Sequence, residues 1–298
     1  MNPISLLFIA LGALTVLFVG YWVRAIIRSK TDVRFPTPLE LGVGFVVNFF
    51  DTLGIGMYAP TTSIFKLKRM VDDRLIPGTL NVGSSLTGVL QTFIIVALIA
   101  VDARTLLLMI AAATIGAWLG AGVVANLPKR KVQIGMGFAL IVSATLMLLS
   151  VLKLLPAGGD AIGVTGVALA FAVLVNFILG ALMTLGIGMY APSMIMVSLL
   201  GMSPKAAFPI MMGSCAFLVP VASIRFIRER SYSLRPALGL TLGGMPAILI
   251  AAFLVSGLPL LYVRWIVIVV VLYAAISMLR SAFAVREIPA EAQIARSS

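Results

Sequence analysis

The chain has 298 residues, of which 61% are hydrophobic and only 11% charged, whereas an ordinary soluble domain carries about 25% charged residues. Basic residues outnumber acidic ones 22 to 10, histidine is absent, and Cys215 is the single cysteine. A soluble nucleic-acid-binding protein is excluded, because the basic residues cluster at the ends of apolar segments. An intrachain disulfide, a histidine-based metal site and a Ser-His-Asp triad are excluded as well.

Apolar segments recur along the whole chain, and each is long enough to cross a hydrocarbon core about 30 Å thick. The first, from Ile4 to Ile27, is longer than the apolar core of a signal peptide, so we expect it to be retained as a leading helix. The sequence therefore predicts an all-α polytopic membrane protein with short connections.

One nine-residue segment occurs twice, letter for letter. Thr52–Pro60 and Thr184–Pro192 both read TLGIGMYAP, and a weaker match follows each copy, at Gly83–Ser85 and Gly213–Cys215. This repeat divides the chain into a leading helix and basic loop (1–35), a first half (36–157), a second half (158–282) and a polar tail (283–298).

Each copy should interrupt its helix, because two glycines and a proline stand inside an apolar stretch. Residues 162–200 would run about 58 Å as one straight helix at about 1.5 Å per residue, which exceeds a single tilted span. Each broken segment either crosses the membrane or turns back as a re-entrant hairpin. The re-entrant topology collects most of the 22 basic residues on one side, so the positive-inside rule favours it.

Three full spans then remain in each half, near residues 76–101, 104–126 and 131–153 in the first. An odd number of crossings inverts the second half, so the two turns would enter from opposite faces and meet near the midplane. We therefore predict about seven transmembrane helices plus two re-entrant broken hairpins in an inverted internal repeat, with a cytoplasmic C-terminus.

The two turns form the candidate substrate site, because non-helical backbone at membrane depth is tolerated only where protein buries it or where it lines a wet cavity. Pro60 and Pro192 suit the first position of the outgoing half-helices, whose free amides favour an anion. The glycines that would let a ligand approach the backbone are Gly54, Gly56, Gly186 and Gly188.

Hydroxyl and thiol groups in and after the turns complete this candidate site. They are Thr52, Tyr58, Thr61, Ser84, Ser85, Thr184, Tyr190, Ser193, Ser214 and Cys215. A structural explanation stays open for all these positions, in which glycine and proline only form the kink and the hydroxyls satisfy local carbonyls.

Asp51 is the only acid placed well inside an apolar segment, and its counterpart in the second half is Met183. An intramembrane carboxylate is a candidate proton or ion relay, which makes Asp51 the candidate coupling residue. A half-helix cap or a water-exposed group explains it equally well.

The duplicated glycine-proline turns, with Pro204–Ala207 and Gly213–Cys215 downstream, resemble the sulfite exporter TauE/SafE family, also called toluene sulfonate uptake permeases, over residues 38–282. The resemblance implies a carrier of sulfite, of sulfonates such as sulfoacetate, or of related organic anions in a bacterial inner membrane. The chain departs from the family pattern at Met57-Tyr58 and Met189-Tyr190, where more glycines are usual.

The leading hypothesis is a secondary transporter, not an enzyme, in which the two halves alternate access to a small anion. Expected partners are that anion, the lipid bilayer and a coupling proton or sodium ion. No cofactor, metal or nucleic acid is expected, and the oligomeric state is left open. A passive anion channel is the nearest alternative. An intramembrane enzyme is weaker, because the apolar segments carry one carboxylate, one thiol and no histidine for acid–base chemistry.

Overall fold

A computed structural model describes residues 3–29, 34–53, 55–95, 100–154, 158–186, 188–254 and 260–284. In these residues the chain forms α-helices and no strand, apart from an isolated bridge between Ala161 and Met202. The helices are α1 (Pro3–Ser29), α2 (Pro38–Thr52), α3 (Tyr58–Leu67), α4 (Ile76–Ile95), α5 (Ala103–Val124), α6 (Lys129–Val151), α7 (Gly166–Met183), α8 (Tyr190–Leu199), α9 (Ala207–Arg228), α10 (Leu234–Leu254) and α11 (Leu260–Ala284). The predicted all-α class is confirmed for this part of the chain.

Six helical segments in the described residues are long and apolar enough to cross a membrane. They are Ser5–Arg28, Ala103–Val124, Lys129–Val151, Gly166–Met183, Pro204–Arg228 and Leu234–Ala252. These segments indicate a membrane-embedded protein, as the composition predicts. α4 also has 20 residues, but its serines, threonines and asparagine make it more polar, which suits a helix packed between other helices.

Both predicted interruptions are present. α2 ends at Thr52 and α3 begins at Tyr58, while α7 ends at Met183 and α8 begins at Tyr190. Gly56 and Gly186 have φ angles of 86° and 99°, a left-handed conformation that glycine adopts without strain.

The prediction for the two prolines was wrong by two positions. Pro60 and Pro192 are the third residues of α3 and α8, not the first. Their missing N–H groups still fall within the first turn, where a helix offers no intrahelical acceptor, so each proline is tolerated there.

α2, α4 and α10 begin at the same end of the helix bundle. Arg235 Nε at the start of α10 lies 3.2 Å from Glu40 Oε2 at the start of α2. The backbone N–H of Ser233 donates to Thr79 Oγ1 near the start of α4, at 2.9 Å. The first broken segment, α2 with α3, therefore starts from this end of the bundle, and the chain has returned to the same end when α4 begins.

α5 and α7 begin side by side at the other end of the bundle. The residues before α7 and those after α8 meet there. The backbone N–H of Asp102 donates to Ile162 O at 2.9 Å. Gly159 N–H donates to Met202 O at 3.0 Å, and Ser203 N–H donates to Ala161 O at 2.8 Å. The residues just before α7 are thus hydrogen-bonded to those just after α8.

The central helices α4 and α9 are antiparallel. Ser85 Oγ lies 3.0 Å from Ser223 Oγ near the end of α9, whereas Thr92 Oγ1, near the end of α4, donates to Met212 O near the start of α9, at 2.9 Å. By the repeat, α2 corresponds to α7, α4 to α9 and α5 to α10. Exchanging the halves preserves the helix pairs, because α2 packs on α10, α7 packs on α5, and α4 packs on α9.

A buried ion pair at the end of α3 connects α3 to the segment before α4, to α6 and to α11. We call it the Lys66 junction. The Lys66 ammonium contacts the Asp73 carboxylate, with side chains 12% and 11% exposed, and also donates to Ser281 Oγ of α11 at 3.0 Å. Gln133 Nε2 of α6 donates to Asp73 Oδ2 at 2.8 Å. At the matching position of α8, Ser198 has a buried hydroxyl with no hydrogen-bond partner among the described residues.

Candidate functional site

A cavity of about 70 Å³ lies between the two interrupted helices. Gly56, Met57 and Tyr58 line it from the first interruption, and Gly188 and Met189 line it from the second. A single water molecule needs only about 10–15 Å³ by this measure, so the space suits a small ligand. Two segments of identical sequence, far apart in the chain, therefore face one cavity.

The first half lines this cavity with oxygen and nitrogen groups. Asp51 Oδ1 accepts the Met57 backbone N–H at 2.8 Å, and Asp51 Oδ2 accepts Gln91 Nε2 at 2.8 Å. The Tyr58 hydroxyl lies 3.0 Å from Ser84 Oγ. We call Asp51, Tyr58, Ser84 and Gln91 the oxygen wall. Asp51 both accepts an amide at the start of α3 and faces the cavity.

The second half lines the same cavity with sulfur. Cys215 Sγ lies 3.6 Å from Met183 Sδ and 4.0 Å from Met189 Sδ. Met211 and Met212, at the start of α9, add two further methionines to this side. We call these five residues the sulfur wall. The two walls differ although the turns repeat, because the second half has Met183 at the position where the first half has Asp51.

Among the described residues, the cavity lining contains one carboxylate, that of Asp51, and neither lysine nor arginine. Tyr58 and Cys215 are the other titratable groups of this described lining. The remaining donors are hydroxyls and backbone amides at the helix starts. Because charges interact strongly in a low-dielectric interior, the ionisation state of Asp51 decides which ions the cavity favours.

Six predicted site residues line this cavity: Asp51, Gly56, Tyr58, Ser84, Gly188 and Cys215. Pro192 lines a smaller adjoining cavity, together with Gly56 and Gly188. Gly54 and the side chain of Tyr190 lie outside the described part of the chain.

Three predicted hydroxyls bond to carbonyls of their own helix or turn. Thr52 Oγ1 donates to Asn48 O at 2.9 Å, Thr61 Oγ1 to Met57 O at 2.6 Å, and Thr184 Oγ1 to Ala181 O at 2.7 Å. For these three the structural explanation fits. Thr52 also accepts Gln91 Nε2 at 3.1 Å, which places it directly behind the oxygen wall.

The other predicted residues face neighbouring helices or apolar space. Ser85 pairs with Ser223, and Ser214 Oγ accepts Asn176 Nδ2 at 3.0 Å. Pro60 lines an apolar cavity beside α11. The remaining two positions are Gly186, whose nearest side-chain neighbours include Met136 and Thr62, and Ser193, which is fully buried with no partner among the described residues.

Sequence reasoning missed eight lining residues, which are Met57, Gly88, Gln91, Val219 and the four methionines of the sulfur wall, Met183, Met189, Met211 and Met212. A signal for Gln91 was present, because it lies two helical turns after Ser84 and so shares its face of α4. No signal marked the methionines, since methionine at an apolar position is ordinary core packing.

A scan against protein-family models, a search of curated proteins and a search of solved structures each gave no match. The geometry of the cavity and the repeat is therefore the basis for assigning a function.

Proposed function

We propose that this chain is a secondary transporter that moves a small sulfur-containing oxyanion, such as sulfite or an organosulfonate, across a bacterial inner membrane. The observation that carries the proposal is the cavity shared by the two interrupted helices. Irregular backbone inside a membrane is stable only where protein buries it or where it lines a cavity, and paired broken helices around a central site are typical of secondary transporters.

An inverted repeat is supported by the direction of the central helices. A two-fold axis that exchanges the halves must exchange α4 with α9. These helices are antiparallel, as the contacts of Ser85 with Ser223 and of Thr92 with Met212 require. Such an axis lies in the membrane plane, which is the symmetry of transporters that alternate access by rocking one half against the other.

Re-entrant hairpins are supported by where the broken segments begin and end. α2 and α4 start side by side, and the residues before α7 bond to those after α8. The end that holds the α2 and α4 starts also carries Arg228, Arg230 and Arg235, so the positive-inside rule makes it cytoplasmic. The second hairpin then enters from the other face.

The N-terminus of α8 is more available to an anion than the N-terminus of α3. Asp51 already accepts an amide at the start of α3, whereas Met183 provides no charge before α8. The start of α8 therefore keeps its positive end, which is worth roughly half a charge, for a ligand. Tyr58 offers a hydroxyl donor from the opposite wall.

Asp51 is the reason to propose proton coupling. An anion that enters beside an ionised Asp51 meets a like charge, and no lysine or arginine among the described lining residues offsets it. Such repulsion is strong away from bulk water. A proton on Asp51 removes the repulsion. Anion and proton are therefore expected to move in the same direction.

The substrate class is tested with the purified full-length chain. Sulfite, sulfate, thiosulfate, sulfoacetate, taurine and simple carboxylates are compared for the rise in melting temperature, and the best ligand is then followed into proteoliposomes. A ligand at 100 times its Kd stabilises by about 2.7 kcal/mol. We expect a sulfur oxyanion to rank first. Stabilisation by carboxylates alone would contradict the proposed substrate class.

Coupling is tested with Asp51→Asn, because asparagine preserves the size of the side chain and its acceptor for Met57 but binds no coupling proton. We expect the acceleration of uptake by an inward proton gradient to disappear in this variant and to remain in Asp160→Asn, which changes an exposed loop residue. Wild-type uptake that follows a sodium gradient instead would reassign the coupling ion. Uptake that ignores both gradients and carries large single-channel currents would identify a channel.

A further inference from the structure

Two thioether sulfurs of the sulfur wall lie near the Cys215 thiol, at separations expected between ligands of one metal ion. Cys215 Sγ is 3.6 Å from Met183 Sδ and 4.0 Å from Met189 Sδ. A metal ion bonded in one plane to three sulfurs at about 2.3 Å holds them about 4 Å apart. The three side chains come from three different elements, α7, the second interruption and α9.

We propose that Cys215, Met183 and Met189 form a binding site for a soft monovalent metal ion, Cu(I) or its analogue Ag(I). Thiolate and thioether ligands select Cu(I) among biological metals. Harder ions lack ligands here, because the described residues contain no group of three or more His, Cys, Asp and Glu side chains that could hold a metal.

Further thioethers and one carboxylate lie around the three sulfurs. Met57, Met211 and Met212 line the same cavity and supply further thioethers. Asp51 provides a carboxylate, and none of the lining residues that the structure describes is basic. Met183 and Met189 are 3% and 2% exposed, so an ion bound here would lie inside the helix bundle.

Metal binding converts the thiol of Cys215 into a metal-bound thiolate. The S–H bond breaks, a sulfur–metal bond forms, and one proton per metal ion leaves the cavity for the solvent; nothing is oxidised or reduced. Affinity should therefore rise with pH, as it does for other thiolate sites. This site goes beyond the proposed transport function and needs no anion.

The test uses Ag(I) and the purified full-length chain in detergent, without added anion. Because Cys215 is the single cysteine, its reaction with a maleimide reports on this site alone. We expect about one equivalent of Ag(I) to block the reaction, to remain bound after dialysis and to release one proton.

Two variants separate a three-sulfur site from a simple thiol. The double variant Met183→Leu, Met189→Leu keeps the cysteine and replaces each thioether by a side chain of similar volume, a change that cores tolerate well. We expect it to bind Ag(I) at least tenfold more weakly than the wild type. The matched control is Met196→Leu, which changes an equally buried methionine of another apolar cluster and should bind as the wild type does.

The proposal is overturned if the double variant binds Ag(I) as tightly as the wild type, because the cysteine alone then accounts for binding. It is also overturned if stoichiometric Ag(I) leaves the maleimide reaction unchanged. If the double variant does not fold, Met189→Leu alone decides between the same outcomes. Anion uptake is measured separately, so a failure of the transport proposal does not alter these results, and the reverse holds too.

Discussion

Tyr58 donates a hydrogen bond to the Ser84 hydroxyl. The single hydroxyl proton of Ser84 is directed to Leu80 O at 2.7 Å, so in the 3.0 Å contact between the two hydroxyls the proton must come from Tyr58. An anion in the cavity competes for that proton with a neutral oxygen. Since hydrogen bonds to charged groups are the stronger ones, the anion should win.

Tyr58→Phe removes this donor and leaves the ring. A lost bond of about 1.4 kcal/mol corresponds to tenfold weaker anion binding, so we expect about a tenfold higher KM and a changed ranking of anions in the melting-temperature screen. Tyr273→Phe, which changes an exposed tyrosine of α11, is the control. An unchanged ranking in Tyr58→Phe would assign the ring to packing only.

Asp102 caps the start of α5 outside the membrane-spanning segments. Its Oδ2 accepts the Thr105 backbone N–H and the Thr105 hydroxyl, each at 2.8 Å. These bonds, the backbone one first, hold the pKa of Asp102 below its ordinary value. A lowered pKa in the folded state means that the stabilisation is complete above the unfolded pKa and is lost as the pH falls through the folded pKa.

Asp102→Asn keeps a capping oxygen but does not titrate. We expect a melting temperature close to that of the wild type at neutral pH and a smaller loss of stability on acidification from about pH 7 to about pH 3, the range in which carboxyl groups titrate. Melting curves in detergent at several pH values measure both. Parallel pH curves for the two proteins would show that the cap does not contribute through its charge.

At the scale of helices, close glycine contacts set how the two halves meet. A Cβ atom at Gly116 of α5 would lie 2.0 Å from Phe177 O of α7, and one at Gly180 of α7 would lie 2.1 Å from Ala113 O. Small residues that let two backbones approach are the usual device for helix packing in membranes.

Gly116→Ala should force α5 and α7 apart, because the new methyl group meets a carbonyl of the backbone, which cannot rotate away as a side chain can. We expect a loss of about 1–3 kcal/mol, seen as a lower melting temperature. Gly12→Ala is the matched control, since no atom lies within 4 Å of its Cβ position and alanine favours a helix by about 1 kcal/mol. Equal melting temperatures for the two variants would contradict this packing argument.

The helix interruptions could be predicted from sequence, and the composition of the cavity could not. Glycine and proline act on their own backbone, so the breaks after Thr52 and Met183 are local events. The direction of a side chain depends on helical phase and on neighbours. Adjacent residues on a helix point about 100° apart, which is why Ser84 reaches the cavity while Ser85 bonds to Ser223.

For the whole molecule, the proposed topology places the loop after α3 and the loop before α7 on opposite sides of the membrane. We test this with single cysteines in a Cys215→Ser background, at Lys68 and at Asp160, both exposed. An impermeant maleimide added to intact cells should label Asp160→Cys, while Lys68→Cys should react only after the membrane is opened. Labelling of both from outside would require the first broken segment to cross the membrane.

The Lys66 junction makes the two ends of the bundle mechanically unequal. Lys66, Asp73, Gln133 and Ser281 fasten four elements at one end, while Ser198 at the matching place has no described partner. In a carrier that opens alternately to each side, the junction stabilises the state that is closed at this end. Unequal stability of the two states cannot make transport one-directional, because at equilibrium forward and reverse fluxes cancel. It does make half-saturation differ between the two faces, so the same substrate should show a different apparent affinity from inside and from outside.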